Sequence, residues 1–302
     1  MRELAVGCLA GVTVFGYWWE TRRAAREARP TLRVAGTWSA AWLLIGLLPT
    51  ALFGVFGDSG QATSYAAVYL IERALSLDNV FVFVVLIAAF QIPAPEHNRL
   101  VSRGSLFAFA VRAPAIVIGV ALFQAVHPIS YALGLLLVAL AWQTARADPG
   151  RVHAPGRVLA ALQRRLPVSE HVERRWIVSR NGRRLLTPAL MCLLALVLAD
   201  VAFAADSIPA GLAISHEQLL LLSANLFALL GLRPLYQIVL IARARLRYMN
   251  HTIALLLLLA GLKLLASDIV EVAPVASLVA VSVIFAVGSA VSLYAARRAQ
   301  PA

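Results

Sequence analysis

Long apolar runs alternate along this chain with short polar connectors. A helix needs about 20 predominantly apolar residues to cross a bilayer. Nine runs approach that length: residues 4–19, 35–56, 64–90, 105–124, 128–147, 187–208, 217–240, 250–267 and 273–295. The pattern predicts an all-α polytopic membrane protein of about nine transmembrane helices, one transmembrane domain over residues 1–302. The first run is short and follows Arg2, as the apolar region of a signal peptide would. No small-residue cleavage site follows it, however, and Tyr17, Trp18 and Trp19 resemble an interfacial aromatic belt, so it is expected to be a helix that stays.

Composition agrees with the pattern. Hydrophobic residues make up 61% of the chain and charged residues 14%, against roughly 25% charged in soluble domains. The net charge of +12 does not imply a nucleic-acid partner, because the arginines are parcelled into connectors instead of forming a stripe among aromatic residues. If the loops alternate sides, one side receives Arg22, Arg23, Arg26, Arg29, Arg33, Arg99 and Arg103. It also receives the arginines between 146 and 184, then Arg243, Arg245, Arg247, Arg297 and Arg298, while the other side receives Arg2. Cytoplasmic loops carry the Lys and Arg excess. The expected placement is therefore multi-pass in the cell inner (cytoplasmic) membrane, with the N-terminus outside and the C-terminus inside.

The one sizeable connector, residues 148–186, is too polar for lipid. Within it RVLAALQRRL, residues 157–166, spaces its aliphatic residues as an amphipathic helix does. It is suited to lie on an anionic membrane surface. Asn181-Gly182 between two short runs predicts a β-hairpin with a type I′ turn. This loop is the expected place for a cytoplasmic partner, with a plain charged connector as the alternative.

Ionisable residues inside the apolar runs are the candidate chemistry, since charge at the bilayer centre is costly and marks ion pathways or partners. The third run carries Glu72, Arg73, Asp78 and Asn79, and the fourth Arg112. The sixth carries Asp200, Asp206 and Ser207, the seventh Arg233 and the eighth Lys263. Glu72 and Asp78 are separated by six residues, as are Asp200 and Asp206, and each second acid is followed by a small polar residue. Arg112-Ala113-Pro114 is matched by Arg233-Pro234. Runs three and six enter the membrane from opposite sides, so the pattern predicts an inverted repeat of helices three to five and six to eight. The fifth run departs from it, with Trp142 or Gln143 where the eighth has Lys263.

A separation of six puts two side chains about 120° apart on an ideal helix. Both acids can face one site only if the helix is interrupted, and breaks are expected at Asp78-Asn79 and around Pro209. The converging oxygens suit a hard cation, Mg²⁺, Ca²⁺ or Mn²⁺, because copper or zinc would recruit Cys or His. Cys8 and Cys192 indicate neither a disulfide framework nor a thiolate site. Arg73, Arg112, Arg233 and Lys263 can balance the acids of an empty site. Structural ion pairs between helices are the plainer reading of the same residues. No nucleophile with a base, and no histidine-supported metal-bound water, points to an enzyme.

YLIERALSLDNVFVF and ADVAFAADSIPAG resemble the two signatures of the TerC family of integral membrane proteins, named for tellurium resistance and including Alx-type manganese exporters. SANLFALLGLRPLY, with Asn225 and Arg233, is similar to the family's third segment, and AGLKLL around Lys263 to its last. Ala199 stands where the family commonly has Thr. The resemblance implies a transporter of the LysE-like superfamily, moving Mn²⁺ outward by alternating access, in exchange for protons. Together with the intramembrane charges it gives the expected metal ligands Glu72, Asp78, Asn79, Asp200 and Asp206, supplementary ligands Ser76 and Ser207, and counter-charges or gates Arg112, Arg233 and Lys263. No permanently bound cofactor is expected, only the transported cation and the surrounding lipid. The alternative is a non-transporting scaffold or metal-delivery component in tellurite resistance or envelope stress.

Overall fold

Ten helices and one small hairpin are seen in the computed structural model, which describes residues 2–26, 31–118, 127–146, 167–169, 175–180, 183–246, 248–267 and 272–298. The helices are α1 (Arg2–Arg26), α2 (Leu32–Phe56), α3 (Ser59–Ala89), α4 (Ala94–Ile118) and α5 (His127–Ala145), followed by α6 (Pro188–Leu212), α7 (Gln218–Leu230), α8 (Leu232–Arg245), α9 (Met249–Leu265) and α10 (Pro274–Arg298). Leu32–Phe56, Ala94–Ile118 and the α7–α8 run Gln218–Ala244 are long and apolar enough to cross a membrane. Shorter apolar helices lie at Tyr131–Ala145, Pro188–Ala204, Met249–Leu265 and Val279–Ala295. This is an all-α polytopic membrane protein.

Short polar residues start the long helices by accepting from backbone N–H groups that have no intrahelical partner. Thr31 accepts from Val34, Asp58 from Gln61 at 2.8 Å, and Thr187 from Leu190. Pro188 after Thr187 fits the first helical position, where its missing N–H costs nothing. In α2, Pro49 removes one ladder bond. Nearby carbonyls in this helix are taken up by α3: Tyr65 donates to Gly46 at 2.8 Å and Tyr69 to Leu43 at 3.1 Å.

The apolar core falls into two clusters. One contains Val80–Ile87 of α3 with Leu100 and Val101 of α4, Ala189–Leu196 of α6, Tyr236 and Val239 of α8, and much of α5 and α9. The other contains Tyr65–Tyr69 of α3, Ala115 and Ile116 of α4, Ala204 and Ile208 of α6, and Leu220–Ala228 of α7. Following the chain, α3 passes from the second cluster to the first and α6 from the first to the second. The pair α4 and α7–α8 shows the same reversal. Glu72 to Asn79 of α3 lie between the clusters.

Two sequence expectations about backbone shape are corrected. α3 and α6 are not interrupted: both are continuous helices through Asp78-Asn79 and through Pro209. Pro209 sits in the last turn of α6, where little ladder remains to lose, and the Asn79 amide is engaged by a neighbouring helix instead of its own backbone. The break lies in the seventh span, at Gly231 between α7 and α8.

α5 and α9 cross where both carry glycine. A Cβ on Gly134 would lie 3.0 Å from the Gly261 carbonyl, and a Cβ on Gly261 would lie 2.9 Å from the Gly134 carbonyl. This reciprocal approach brings the two backbones together at Gly134 and Gly261.

In the connector before α6, Ile177–Arg180 and Arg183–Leu186 form an antiparallel pair with Ile177 opposite Leu186. Trp176 packs on the end of α4, with the guanidinium carbons of Arg99 and Arg103 at 4.7 and 5.0 Å from its ring. The helix expected at 157–166 and the turn residues Asn181 and Gly182 lie outside the described residues.

Candidate functional site

Glu72, Ser76 and Asn79 recur at intervals of four and three on α3. Over seven residues an α-helix turns through about 700°, within 20° of two full turns, so these three share one face of an unbroken helix. Asp200 and Ser207 of α6 have the same separation. Among the described side chains, the spacing that brings residues to the site is acid to small polar residue at seven. That is why no unwinding is needed.

These faces meet around Arg112 of α4, which is 3% exposed. Its Nε donates to Asp200 Oδ2 at 2.7 Å and its Nη2 to Asp200 Oδ1 at 2.9 Å, a two-pronged ion pair, while Nη1 donates to Glu72 Oε2 at 3.2 Å. The Ser207 hydroxyl lies 3.5 Å from Nη1. Asn79 donates from Nδ2 to Asp200 Oδ1 at 3.0 Å. Glu72 is 5% and Asp200 0% exposed, so the ion triad is shielded from bulk solvent, and such a group persists only when each charge is paired and hydrogen-bonded.

Not every polar atom here is satisfied. Asn79 Oδ1 and both ends of the Asn225 amide are buried without a hydrogen bond. Asn225, on α7, stands beside the Glu72 carboxylate without a well-formed bond to it. A cavity of about 10 Å³ is lined by Glu72, Ser76, Asn79, Arg112, Ser207 and Lys263, room for roughly one water-sized species. Buried amide oxygens with open lone pairs beside two carboxylates form a donor set for a hard cation. Among the described residues no three His, Cys, Asp or Glu side chains gather within metal-binding reach.

The expected site residues therefore divide. Glu72, Asn79, Ser207, Arg112 and Lys263 line one cavity, and Asp200 is tied to that group through Arg112 and Asn79. Ser76 lines it too, its hydroxyl already donating to the Glu72 carbonyl at 2.7 Å. Arg233 is buried but lines a different cavity, of about 210 Å³, with Thr13, Tyr17, Ser102 and Ser105. Asp78 and Asp206 are carried by α3 and α6, and their side chains lie outside the described residues. Asn225 matches the family pattern, yet sequence reasoning assigns it no role. An amide inside the apolar run SANLF is the signal that marks it.

The fold and this charged layer define a multi-pass integral membrane protein with a buried ionic centre between two apolar clusters. Residues 58–300 match the model of the family described as "Integral membrane protein TerC family", and the chain belongs to it. It is 33% identical over 269 residues to an uncharacterized membrane protein of Myxococcus xanthus, covering 87% of this chain and 83% of that one. A relative in Mycobacterium tuberculosis, also called an uncharacterized membrane protein, is 33% identical over 269 residues, covering 87% of this chain and 67% of its own. The Escherichia coli K12 protein named "Putative membrane-bound redox modulator Alx" is 31% identical over 267 residues, 85% of this chain and 82% of that one. No solved structure matches the chain.

Proposed function

We propose that this protein moves a divalent cation across the inner membrane, with Mn²⁺ as the favoured substrate and export as the favoured direction. The carrying observation is the Glu72–Arg112–Asp200 triad, in which an arginine occupies the place between two carboxylates that a dication would take. Arg112 is the internal counter-ion of the site between transport events. When the cation enters, the guanidinium leaves, and the carboxylates are joined by the open oxygens of Asn79 and Asn225, with Ser76 and Ser207 as further oxygen donors. Oxygen donors with two carboxylates favour Mn²⁺, Mg²⁺ or Ca²⁺ over softer ions. Asp78 and Asp206, six residues and so about 120° from Glu72 and Asp200 around unbroken helices, belong to the same proposal as ligands of a neighbouring step on the ion's path instead of the Glu72–Asp200 centre. Lys263, at the cavity wall, and Arg233 supply balancing charge.

Alternating access is supported by the opposite course of α3 and α6 between the two apolar clusters, the arrangement of an inverted repeat with its site at the repeat interface. Protonation of the carboxylates is the proposed means of ion release. In proteoliposomes holding a Mn²⁺-sensitive dye, the intact protein should carry Mn²⁺. Glu72→Gln, Asp200→Asn, Asp78→Asn and Asp206→Asn should each lose most of that flux. Equal flux through all five proteins would reject the site.

A second reading, a membrane scaffold or metal-delivery component, is favoured by one observation. The hairpin before α6 is held against α4 through Trp176, which would present its described strands, Ile177–Arg180 and Arg183–Leu186, to a cytoplasmic partner.

A further inference from the structure

The break in the seventh span falls at a Gly-and-Pro stretch of its sequence and is bridged by another helix. Pro234 has no N–H for the carbonyl four residues earlier, and its ring crowds that carbonyl; α2 and α4 carry Pro49 and Pro114 without a break, but here, with Gly231 three residues earlier, the helix ends and restarts. A helix end inside the membrane leaves carbonyls without intrahelical donors, and lipid offers none. Arg73 of α3, 7% exposed, reaches this end and donates from Nη1 to the Ala228 carbonyl at 3.1 Å. Gly231, the residue at the break, has φ −83° and ψ 2°, a conformation open to any L-residue. What a side chain here would meet is Arg73: a Cβ would overlap its guanidinium, which would have to move aside.

Arg73 directly follows Glu72, and Ala228 lies three residues beyond Asn225, so the two bear on neighbouring parts of one helical face. One turn of α3 thus engages the end of α7 twice, through the Glu72 carboxylate beside Asn225 and through Arg73 on the Ala228 carbonyl. We propose that Arg73 is a positioning residue that pins the broken end of α7, fixing Asn225 against the acidic layer, and that Gly231 exists to seat its guanidinium. This gives Arg73 a task distinct from balancing charge. Its effect on cation affinity rests on the transport reading above, whereas the pinning itself does not.

The two are separated by a double-mutant cycle on the full-length protein, using Gly231→Ala, Arg73→Lys, Arg73→Met and the paired variants. In detergent, Gly231→Ala should lower the thermal midpoint in the Arg73 background and change it little in the Arg73→Met background, where the overlapping group is gone. The lysine variant keeps the charge without the planar fork and should recover only part of the wild-type midpoint. In proteoliposomes, Gly231→Ala should raise the KM for Mn²⁺ about tenfold with little change in maximal rate, the scale of one charge-assisted hydrogen bond. Equal effects of Gly231→Ala in both backgrounds, or full replacement of Arg73 by lysine, would overturn the proposal. A wild-type protein that carries no Mn²⁺ but shows the coupled thermal cycle would reject transport and uphold the pin.

Discussion

Arg112 holds Asp200 by both carboxylate oxygens, Nε to Oδ2 at 2.7 Å and Nη2 to Oδ1 at 2.9 Å, and has one nitrogen left for Glu72. Removing one member of a buried ion pair strands the other charge, at a cost of about 3–5 kcal/mol. Arg112→Met should therefore lower the thermal midpoint sharply in metal-free detergent. If the guanidinium stands where a dication binds, millimolar Mn²⁺ should restore much of the loss by binding the folded state alone. Its effect on the wild-type midpoint should be smaller, since there it must displace Arg112. A variant whose midpoint ignores Mn²⁺ would mean that Arg112 is a structural tie and nothing else.

Asn79 and Ser76 share a face of α3 but should respond differently to truncation. Asn79→Ala removes a hydrogen bond to an ionised carboxylate, worth about 1.5–3 kcal/mol, along with an open amide oxygen, so both stability and Mn²⁺ flux should fall. Ser76→Ala removes a hydroxyl whose proton already returns to its own helix at Glu72 O, and flux should stay within about twofold, since the lost bond is the weak in-helix kind. Comparable losses in the two variants would show that the Ser76 oxygen is a principal ligand.

How much of this is legible in the sequence turns on the period chosen. The apolar runs and the charges inside them give the fold class and name most of the cavity lining, because burial of charge in lipid is too costly to be incidental. Matching Glu72 with Asp78 at six residues, however, requires two unwound helices. At seven residues, Glu72 with Asn79 and Asp200 with Ser207 fall on single faces of straight helices. The true break is also marked, by Gly231 three residues before Pro234, but within a continuous apolar run it reads as one span. What no local pattern can show is that Arg112, from a third helix, fills the space between the acids. Neither can it show that Arg73, beside Glu72 in sequence, serves the end of a helix more than 150 residues away, since both are long-range contacts.

The α5–α9 crossing gives a test of packing that is independent of transport. Gly134→Ala and Gly261→Ala each place a methyl group about 3 Å from a backbone carbonyl, and helix backbones yield less readily than side chains. Each should destabilise the protein by about 1–3 kcal/mol. Gly36→Ala is the control: a Cβ added to this residue of α2 would meet nothing within 4 Å, and replacing a helical glycine gains roughly 0.5–1 kcal/mol. Thermal unfolding of the three variants should thus give two losses and one gain. A neutral result at both Gly134 and Gly261 would show that the crossing is loose enough to slide.

The cytoplasmic reading of the arginine-rich connector can be tested through Trp176. Its ring lies against Arg99 and Arg103, contacts worth about 0.5–2 kcal/mol each, and its carbonyl accepts from the Thr187 N–H at 3.0 Å and the Thr187 hydroxyl at 3.1 Å. Trp176→Ala removes the ring contacts but keeps the carbonyl, so α6 should still start at its cap while the hairpin loosens from α4. In inside-out vesicles, trypsin should then cut the 148–186 connector roughly tenfold faster, as expected when about 1.4 kcal/mol of local protection is lost. Sealed right-side-out vesicles should protect the connector in both proteins if it is cytoplasmic. Mn²⁺ flux should be unchanged, because Trp176 lies apart from the Glu72–Arg112–Asp200 layer. Loss of flux with the ring would instead make the hairpin part of the transport cycle, and cleavage from the right-side-out face would invert the orientation assigned from the arginines.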